Sequence, residues 1–104
     1  MKVIHADNVE KKWLPDKKGY FKIKLDRANK EIMIGLWDYK HELQQVYAGK
    51  HPLDIMYLLH NLGLVSSLYH ATYLGIELEK AYTALKLGIE YVQDSDLDFS
   101  GVKK

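Results

Sequence analysis

One stretch of helical periodicity, from Ser66 to Val92, dominates the pattern of apolar and polar positions along the chain. When its side chains are placed at about 100° per residue, a narrow polar stripe stands beside a broad apolar flank. The polar stripe is formed by Thr72, Glu79, Thr83, Lys86 and Glu90. Ser66 or Ser67 supplies a side-chain oxygen that caps the first free N–H groups. The pattern therefore predicts a single helix of roughly 40 Å at 1.5 Å per residue.

The side of this helix opposite the polar stripe combines ionisable groups with small residues. It comprises His70, Glu77, Ala81, Ala84 and Gly88, with Tyr73 between the first two and Lys80 at the edge. Because burying a charged group is costly unless it is paired, two interpretations arise. Either a structural network runs from His70 through Tyr73 to Glu77, or these groups line a ligand pocket in the space that the small residues leave. The remaining alternatives are a different phase of the helix and an oligomer interface.

Two glycines lie within the predicted helix. Gly75 and Gly88 each cost about 1 kcal/mol relative to alanine in a helix interior. We therefore expect them to serve close packing against another part of the protein.

A β-hairpin is predicted in the first half of the chain. Apolar and polar residues alternate along Tyr20–Leu25 and again along Glu31–Tyr39, which is typical of half-buried strands. The intervening Asp26–Lys30 has turn chemistry, and it places Asp26 and Arg27 at the tip. A two-stranded sheet is marginal alone, so the hairpin needs helices, a partner chain or a third strand, for which Lys2–His5 is suitable.

The remaining elements complete an α+β domain. Pro52 and Asp54 favour a helix start, and Gly63 is a suitable stop, so Leu53–Asn61 is predicted as a short helix. His41–Ala48 fits either a short helical turn or an irregular extended piece. We expect one domain over residues 1–104, best defined over 13–94, with the N-terminal hairpin and any third strand packed against the short helix and the long C-terminal helix.

Composition excludes several classes of function. The chain has 104 residues, a formal net charge of +1 and no cysteine. The near-zero charge gives no electrostatic basis for nucleic-acid binding, and the absence of cysteine excludes disulfides and cysteine-ligated metals. No apolar run is long enough for a signal peptide or a membrane span, so a cytoplasmic protein without membrane contact is expected. Phosphate-loop, dinucleotide and metal-binding motifs are absent, and no catalytic residue or metal ligand is assigned.

Two motifs resemble a known family. Gly19–Arg27 reads GYFKIKLDR and is followed by Glu31-Ile32, and Tyr69–Asp94 reads YHATYLGIELEKAYTALKLGIEYVQD. Both are similar to an uncharacterised domain family, a domain of unknown function found mainly in archaea and cyanobacteria. That family is appended to dihydropteroate-synthase-like pterin-binding proteins and to proteins that resemble a component of tetrahydromethanopterin S-methyltransferase. The matching residues are Asp26, Arg27, His70, Tyr73, Gly75, Glu77, Lys80, Gln93 and Asp94.

The resemblance implies a setting in pterin-dependent one-carbon metabolism. Our first hypothesis is a non-catalytic binding or assembly module, with a pterin-binding or methyltransferase protein as partner. It requires no cofactor, and the candidate ligand is a methanopterin-like or folate-like pterin. The candidate ligand-binding residues are Asp26, Arg27, His70, Tyr73, Glu77 and Lys80.

Two rival hypotheses come from other classes of protein. A small enzyme would use His70 as general acid and base, oriented by Glu77, on a pterin-like or nucleotide-like substrate. The family carries an acid where this chain has Tyr69, so an acid that polarises His70 is missing here. A purely structural dimerisation domain would form a homo-oligomer through the hairpin edge or the small-residue helix face. A solvent-accessible pocket lined by His70 and Glu77 favours ligand binding, whereas a closed pair favours the structural domain.

Overall fold

A five-stranded sheet covered on one face by two helices forms the fold, which confirms the predicted α+β class. The computed structural model describes residues 3–6, 19–65, 67–94 and 97–98. The strands are β1 (Val3–His5), β2 (Gly19–Asp26), β3 (Glu31–Asp38), β4 (Leu43–Gly49) and β5 (Leu97–Asp98), and the helices are α1 (Pro52–Asn61) and α2 (Leu68–Leu87). The strand order is β1-β4-β3-β2-β5, with β1 parallel to β4 and the other pairs antiparallel. Residues 13–18 of the predicted well-defined part, and the predicted cap Ser66, lie outside the described residues.

The predicted hairpin corresponds to β2 and β3. Its register places Phe21 opposite Leu36 and Ile23 opposite Ile34, so the apolar residues of both strands share the face toward the helices. The period-two alternation predicted this arrangement because successive side chains of a strand point to opposite faces. The four side chains of these two pairs are each 5% exposed or less.

The sheet is larger than the predicted hairpin with at most one added strand. Leu43–Gly49 forms the strand β4, whose pairing with β3 shifts register between Leu36 and Trp37, so the predicted helical turn does not form and the extended alternative applies. Only the last three residues of β4 are buried, which is why the sequence shows little alternation there. Pairing with Ile34 places Tyr47 in the core with 1% of its surface exposed. The predicted third strand exists as β1, but it pairs with β4 at the sheet edge and not with the hairpin.

Helix α2 is shorter than predicted. It begins after Ser67, whose side-chain oxygen accepts a hydrogen bond of 3.0 Å from the His70 N–H. It ends at Leu87 because Gly88 adopts the left-handed conformation with φ of 67°, a common way for a helix to terminate. The prediction that the helix continues to Val92 is therefore wrong, since the apolar residues after Gly88 belong to a segment without regular secondary structure.

The expectation that Gly75 and Gly88 allow close packing is also wrong. A Cβ atom placed on either residue meets no atom within 4 Å apart from its chain neighbours and the adjoining helix backbone. Gly88 is required by its backbone conformation, whereas Gly75 is an ordinary helical residue next to open space.

The core lies between the sheet and the two helices. Its largest fully buried side chains are Phe21, Ile32, Ile34, Tyr47, Ile55, Leu59, Leu74 and Leu78. Ala81 and Ala84 of α2 are buried as well, as the helical pattern predicted. No helix in the described part of the chain is long and apolar enough to cross a membrane.

Candidate functional site

Glu77 is a buried carboxylate in the middle of α2. Its residue surface is 6% exposed, as its position on the inward side of the helix predicted. The Tyr91 hydroxyl donates a hydrogen bond of 2.9 Å to its Oε1, and the Lys80 Nζ lies 3.3 Å from both carboxylate oxygens. These donors replace the water that the carboxylate loses on burial, so the charge is accommodated within the fold. Burial and the hydrogen bond to Glu77 raise the pKa of Tyr91.

Lys80 connects this buried carboxylate to the surface. Its Nζ also lies 2.6 Å from Asp94 Oδ2, and the Asp94 side chain is 77% exposed. The hydrogen bond to Asp94, with the contribution of Glu77, raises the pKa of Lys80. The ammonium group of Lys80 therefore pairs with two carboxylates, the buried one of Glu77 and the exposed one of Asp94.

The segment of residues 89–94, which has no regular secondary structure, is fixed at two further points. The Arg27 guanidinium donates from Nη2 to the backbone carbonyl of Ile89. The Gln93 side chain accepts a hydrogen bond of 2.7 Å from the Ile23 N–H and donates one of 3.1 Å to the Phe21 carbonyl. The Gln93 amide thereby pairs with the edge of β2 as the backbone of a neighbouring strand would.

A group of six residues thus seats this segment on α2 and β2. We call it the clamp, and it comprises Arg27, Glu77, Lys80, Tyr91, Gln93 and Asp94. Five of its members, Arg27, Glu77, Lys80, Gln93 and Asp94, are among the residues named above as matching the family pattern. Their shared geometric role is to hold residues 89–94 beside the helix.

The clamp creates an open groove between α2 and the 89–94 segment. The groove has a volume of about 560 Å³. It is lined by Ile76, Glu79, Lys80, Thr83, Ala84, Ile89, Glu90, Tyr91, Val92 and Asp94. Ile76, Ile89 and Val92 are each more than half exposed. Within the described residues, Glu79 and Glu90 form no ion pair.

His70 occupies a different position on the same helix. It is buried, and its ring stacks on Phe21 with 5.9 Å between centroids and 25° between planes. Glu77 follows two helical turns later, at roughly 10 Å along the axis for 1.5 Å per residue. Both residues point inward as predicted, but neither lines the groove.

Tyr73 does not link His70 to Glu77. It is 49% exposed, and its ring lies 4.6 Å from that of Tyr69 one turn earlier. A hydrogen bond between the two hydroxyls raises the pKa of Tyr69. The inward space between His70 and Glu77 is taken by Leu74, which is fully buried, so the predicted network through Tyr73 does not form.

Asp26 serves the turn at the tip of the hairpin. Its carboxylate accepts hydrogen bonds from the backbone N–H and the side-chain amide of Asn29, at 3.2 and 2.9 Å. These bonds, the side-chain one first, lower the pKa of Asp26. Of the six predicted ligand-binding residues, only Lys80 therefore borders the groove. Sequence reasoning missed Tyr91, because the predicted helix ran to Val92 and therefore included it.

Metal binding has no geometric support in the described part of the chain. No group of three or more histidine or carboxylate side chains there is arranged to hold a metal ion. The groove and clamp therefore offer hydrogen bonds, charge and apolar contact.

Comparison with known proteins places the chain in a family. Residues 15–94 match the family described as PterinBD-DUF4346, and the chain belongs to it, which confirms the predicted resemblance. The uncharacterised protein MJ0107 of Methanocaldococcus jannaschii is 40% identical over 95 residues, which are 91% of this chain but 18% of that relative. The uncharacterised protein ycf91 of Pyropia yezoensis is 34% identical over 86 residues, 76% of this chain and 73% of that protein. No solved structure matches the chain.

Proposed function

We propose that this chain is a non-catalytic assembly module that associates with a pterin-binding protein in pterin-dependent one-carbon metabolism. The observation that carries the proposal is the closed environment of Glu77. Lys80 and Tyr91 donate hydrogen bonds to its carboxylate, so this buried charged group of α2 is satisfied by the protein itself. The exposed side of the same helix, together with residues 89–94, is the part available to a partner.

The comparisons support an assembly role. The family description joins a pterin-binding term to this domain. More than four fifths of the Methanocaldococcus jannaschii relative lies outside the match, so the same domain also occurs within a much longer protein. A module that works beside other domains needs a surface for them more than a reaction centre of its own.

The geometry argues against the small enzyme that uses His70 and Glu77. A general acid or base must come within hydrogen-bond reach of the substrate. His70 and Glu77 are each 6% exposed and lie outside the groove, and they are separated by two turns of helix. Neither side chain is placed to meet a substrate held at the surface.

Direct binding of a pterin in the groove is the second candidate function. The groove volume of about 560 Å³ lies within the usual range for small-molecule sites. Glu79 and Glu90 are acceptors for the amino group and ring N–H of a pterin, and Ile76, Ile89 and Val92 provide apolar walls for its flat ring. This arrangement would make the module a ligand carrier.

One pair of measurements separates these functions. Calorimetric titration of the chain into a purified pterin-binding protein from the same organism should give a defined complex. Thermal denaturation of the chain alone should not shift when folates or methanopterin analogues are added, because ligands raise the melting temperature only of a protein that binds them. A shift that Glu79→Gln and Glu90→Gln abolish would support the ligand carrier. If no complex forms in the titration and no ligand shifts the melting temperature, both functions are refuted.

A further inference from the structure

The outer side of α2 and the 89–94 segment form one continuous apolar surface. Ile76, Ile89 and Val92 are 54%, 53% and 68% exposed around the groove. Along α2 the surface continues to the Tyr69–Tyr73 pair, whose members are 73% and 49% exposed. Single exposed apolar residues are ordinary, but a contiguous set of this kind is typical of an interaction site.

The charge that lines the groove is negative, with three carboxylates and one lysine among its lining residues. Glu79 and Glu90 line the groove and have no ion pair among the described residues. Asp94 also lines it, and its partner Lys80 is shared with the buried Glu77. The single positive charge of Lys80 is shared between Glu77 and Asp94. It therefore leaves the negative charges of Glu79 and Glu90 without compensation from this lysine.

The groove is held in shape by the clamp. Ile89 and Val92 of residues 89–94 are more than half exposed, whereas Tyr91 packs partly buried against the core. The segment is kept in position by polar contacts to Glu77, Arg27 and the edge of β2. A surface fixed in this way loses little conformational freedom when a partner binds, which favours affinity.

We infer that this surface docks a protein segment that presents apolar side chains flanked by lysine or arginine. The apolar side chains would enter the groove between Ile76 and Val92, and the basic groups would meet Glu79 and Glu90. Opposite charges across an interface favour one partner over others and accelerate association. That the pterin-binding protein carries this segment rests on the proposed function, whereas the chemistry of the surface does not.

Charge also distinguishes this partner from a second copy of the chain. A two-fold contact places the same patch of both copies face to face. It would bring Glu79 and Glu90 of one copy against the same residues of the other, and like charges at an interface are unfavourable. The lysine or arginine side chains of a basic segment would instead be attracted to Glu79 and Glu90.

The test uses a synthetic probe and the full chain. The probe is an amphipathic helical peptide of leucine and lysine, and the comparison peptide has glutamate at every lysine position. We expect the lysine peptide to bind, to shift the methyl resonances of Ile76, Ile89 and Val92, and to bind more weakly at high salt. The glutamate peptide should not bind.

Charge reversal in the groove locates the contact. Glu79→Lys and Glu90→Lys should each weaken binding of the lysine peptide about tenfold, because each replaces an attraction with a repulsion. Glu42→Lys is the matched control, since Glu42 is exposed and is not part of the groove, and it should leave the affinity nearly unchanged. Circular dichroism verifies that all three variants are folded.

Several results would overturn the inference. These are equal binding of both peptides, no binding of either, resonance shifts confined to another face, or an equal effect of the Glu42 control. Self-association in sedimentation experiments that is lost in the groove variants would assign the surface to a second copy. Because the probe is a peptide, failure of the complex with the pterin-binding protein refutes the proposed function separately.

Discussion

The Tyr91 hydroxyl lies 2.9 Å from Glu77 Oε1, across 14 positions of the chain and beyond the left-handed residue that ends α2. This bond attaches the segment after the helix to the middle of the helix itself. It provides a buried carboxylate with a neutral donor and fixes one wall of the groove. Loss of this hydrogen bond would therefore leave the buried carboxylate with one donor fewer and would release one wall of the groove.

One buried tyrosine, Tyr47, and one half-buried tyrosine, Tyr91, predict a loss of stability in alkaline solution. Burial raises the pKa of Tyr47, whose hydroxyl has no hydrogen-bond partner among the described residues, and burial together with Glu77 raises that of Tyr91. Since each folded-state pKa lies above the unfolded value of about 10, the stabilisation is complete below pH 10 and is lost above it. The free energy of unfolding should fall by about 1.4 kcal/mol per pH unit for Tyr47 and by less for the half-buried Tyr91.

Phenylalanine variants check this assignment. Tyr47→Phe should leave stability at neutral pH unchanged or raised, because it removes a buried hydroxyl to which no described residue donates or accepts a hydrogen bond. Tyr47→Phe and Tyr91→Phe should each reduce the alkaline slope in urea denaturation, whereas the control Tyr57→Phe, at a residue 66% exposed, should not. An unchanged slope in Tyr47→Phe would contradict the argument.

The two carboxylates that Lys80 contacts should differ in importance. Glu77→Ala removes the acceptor for Tyr91 and Lys80 inside the protein, so it should lower the free energy of unfolding by about 1 to 3 kcal/mol. Asp94→Asn affects an exposed pair, and solvent screening makes such pairs weak. Chemical denaturation should therefore show a clearly larger loss for Glu77→Ala; equal losses would mean that Lys80, not the buried carboxylate, dominates the clamp.

Gln93 should protect the backbone at the edge of β2 from hydrogen exchange. Its amide accepts from the Ile23 N–H and donates to the Phe21 carbonyl, so Gln93→Ala leaves both backbone groups without this partner. We expect a loss of about 1 kcal/mol in stability and faster hydrogen exchange at the Ile23 amide. The amide of Ile34, in the central strand β3, is the internal control, and uniform acceleration at both sites would point to global destabilisation instead.

The two glycines of the α2 region should respond to alanine with opposite signs. Gly75→Ala should stabilise the protein by about 1 kcal/mol, since the residue is helical and its Cβ position is open. Gly88→Ala should destabilise it by a similar amount because the left-handed backbone disfavours a Cβ. Thermal denaturation of the two single variants measures both effects, and a loss in Gly75→Ala would indicate a contact on that face.

The elements that sequence reasoning located are those whose signals are local. The hairpin is encoded by alternation over a few residues, and the body of α2 by contacts one or two turns apart, so their apolar faces could be assigned correctly. His70 and Glu77 were placed on the inward side for the same reason. The identity of β4 was hidden, since its residues become a strand only through pairing with β1 and β3.

The candidate site was predicted only in part, because its residues come from distant positions. Periodicity continued past Gly88, but whether that glycine lies within a helix or ends it depends on where the following residues can be held. That decision rests on Arg27 reaching Ile89, 62 positions away, and on Gln93 reaching Ile23, 70 positions away. Short-range patterning is thus sufficient for the faces of helices and strands, whereas the groove arises from long-range hydrogen bonds that exist only once the sheet and helix have packed together.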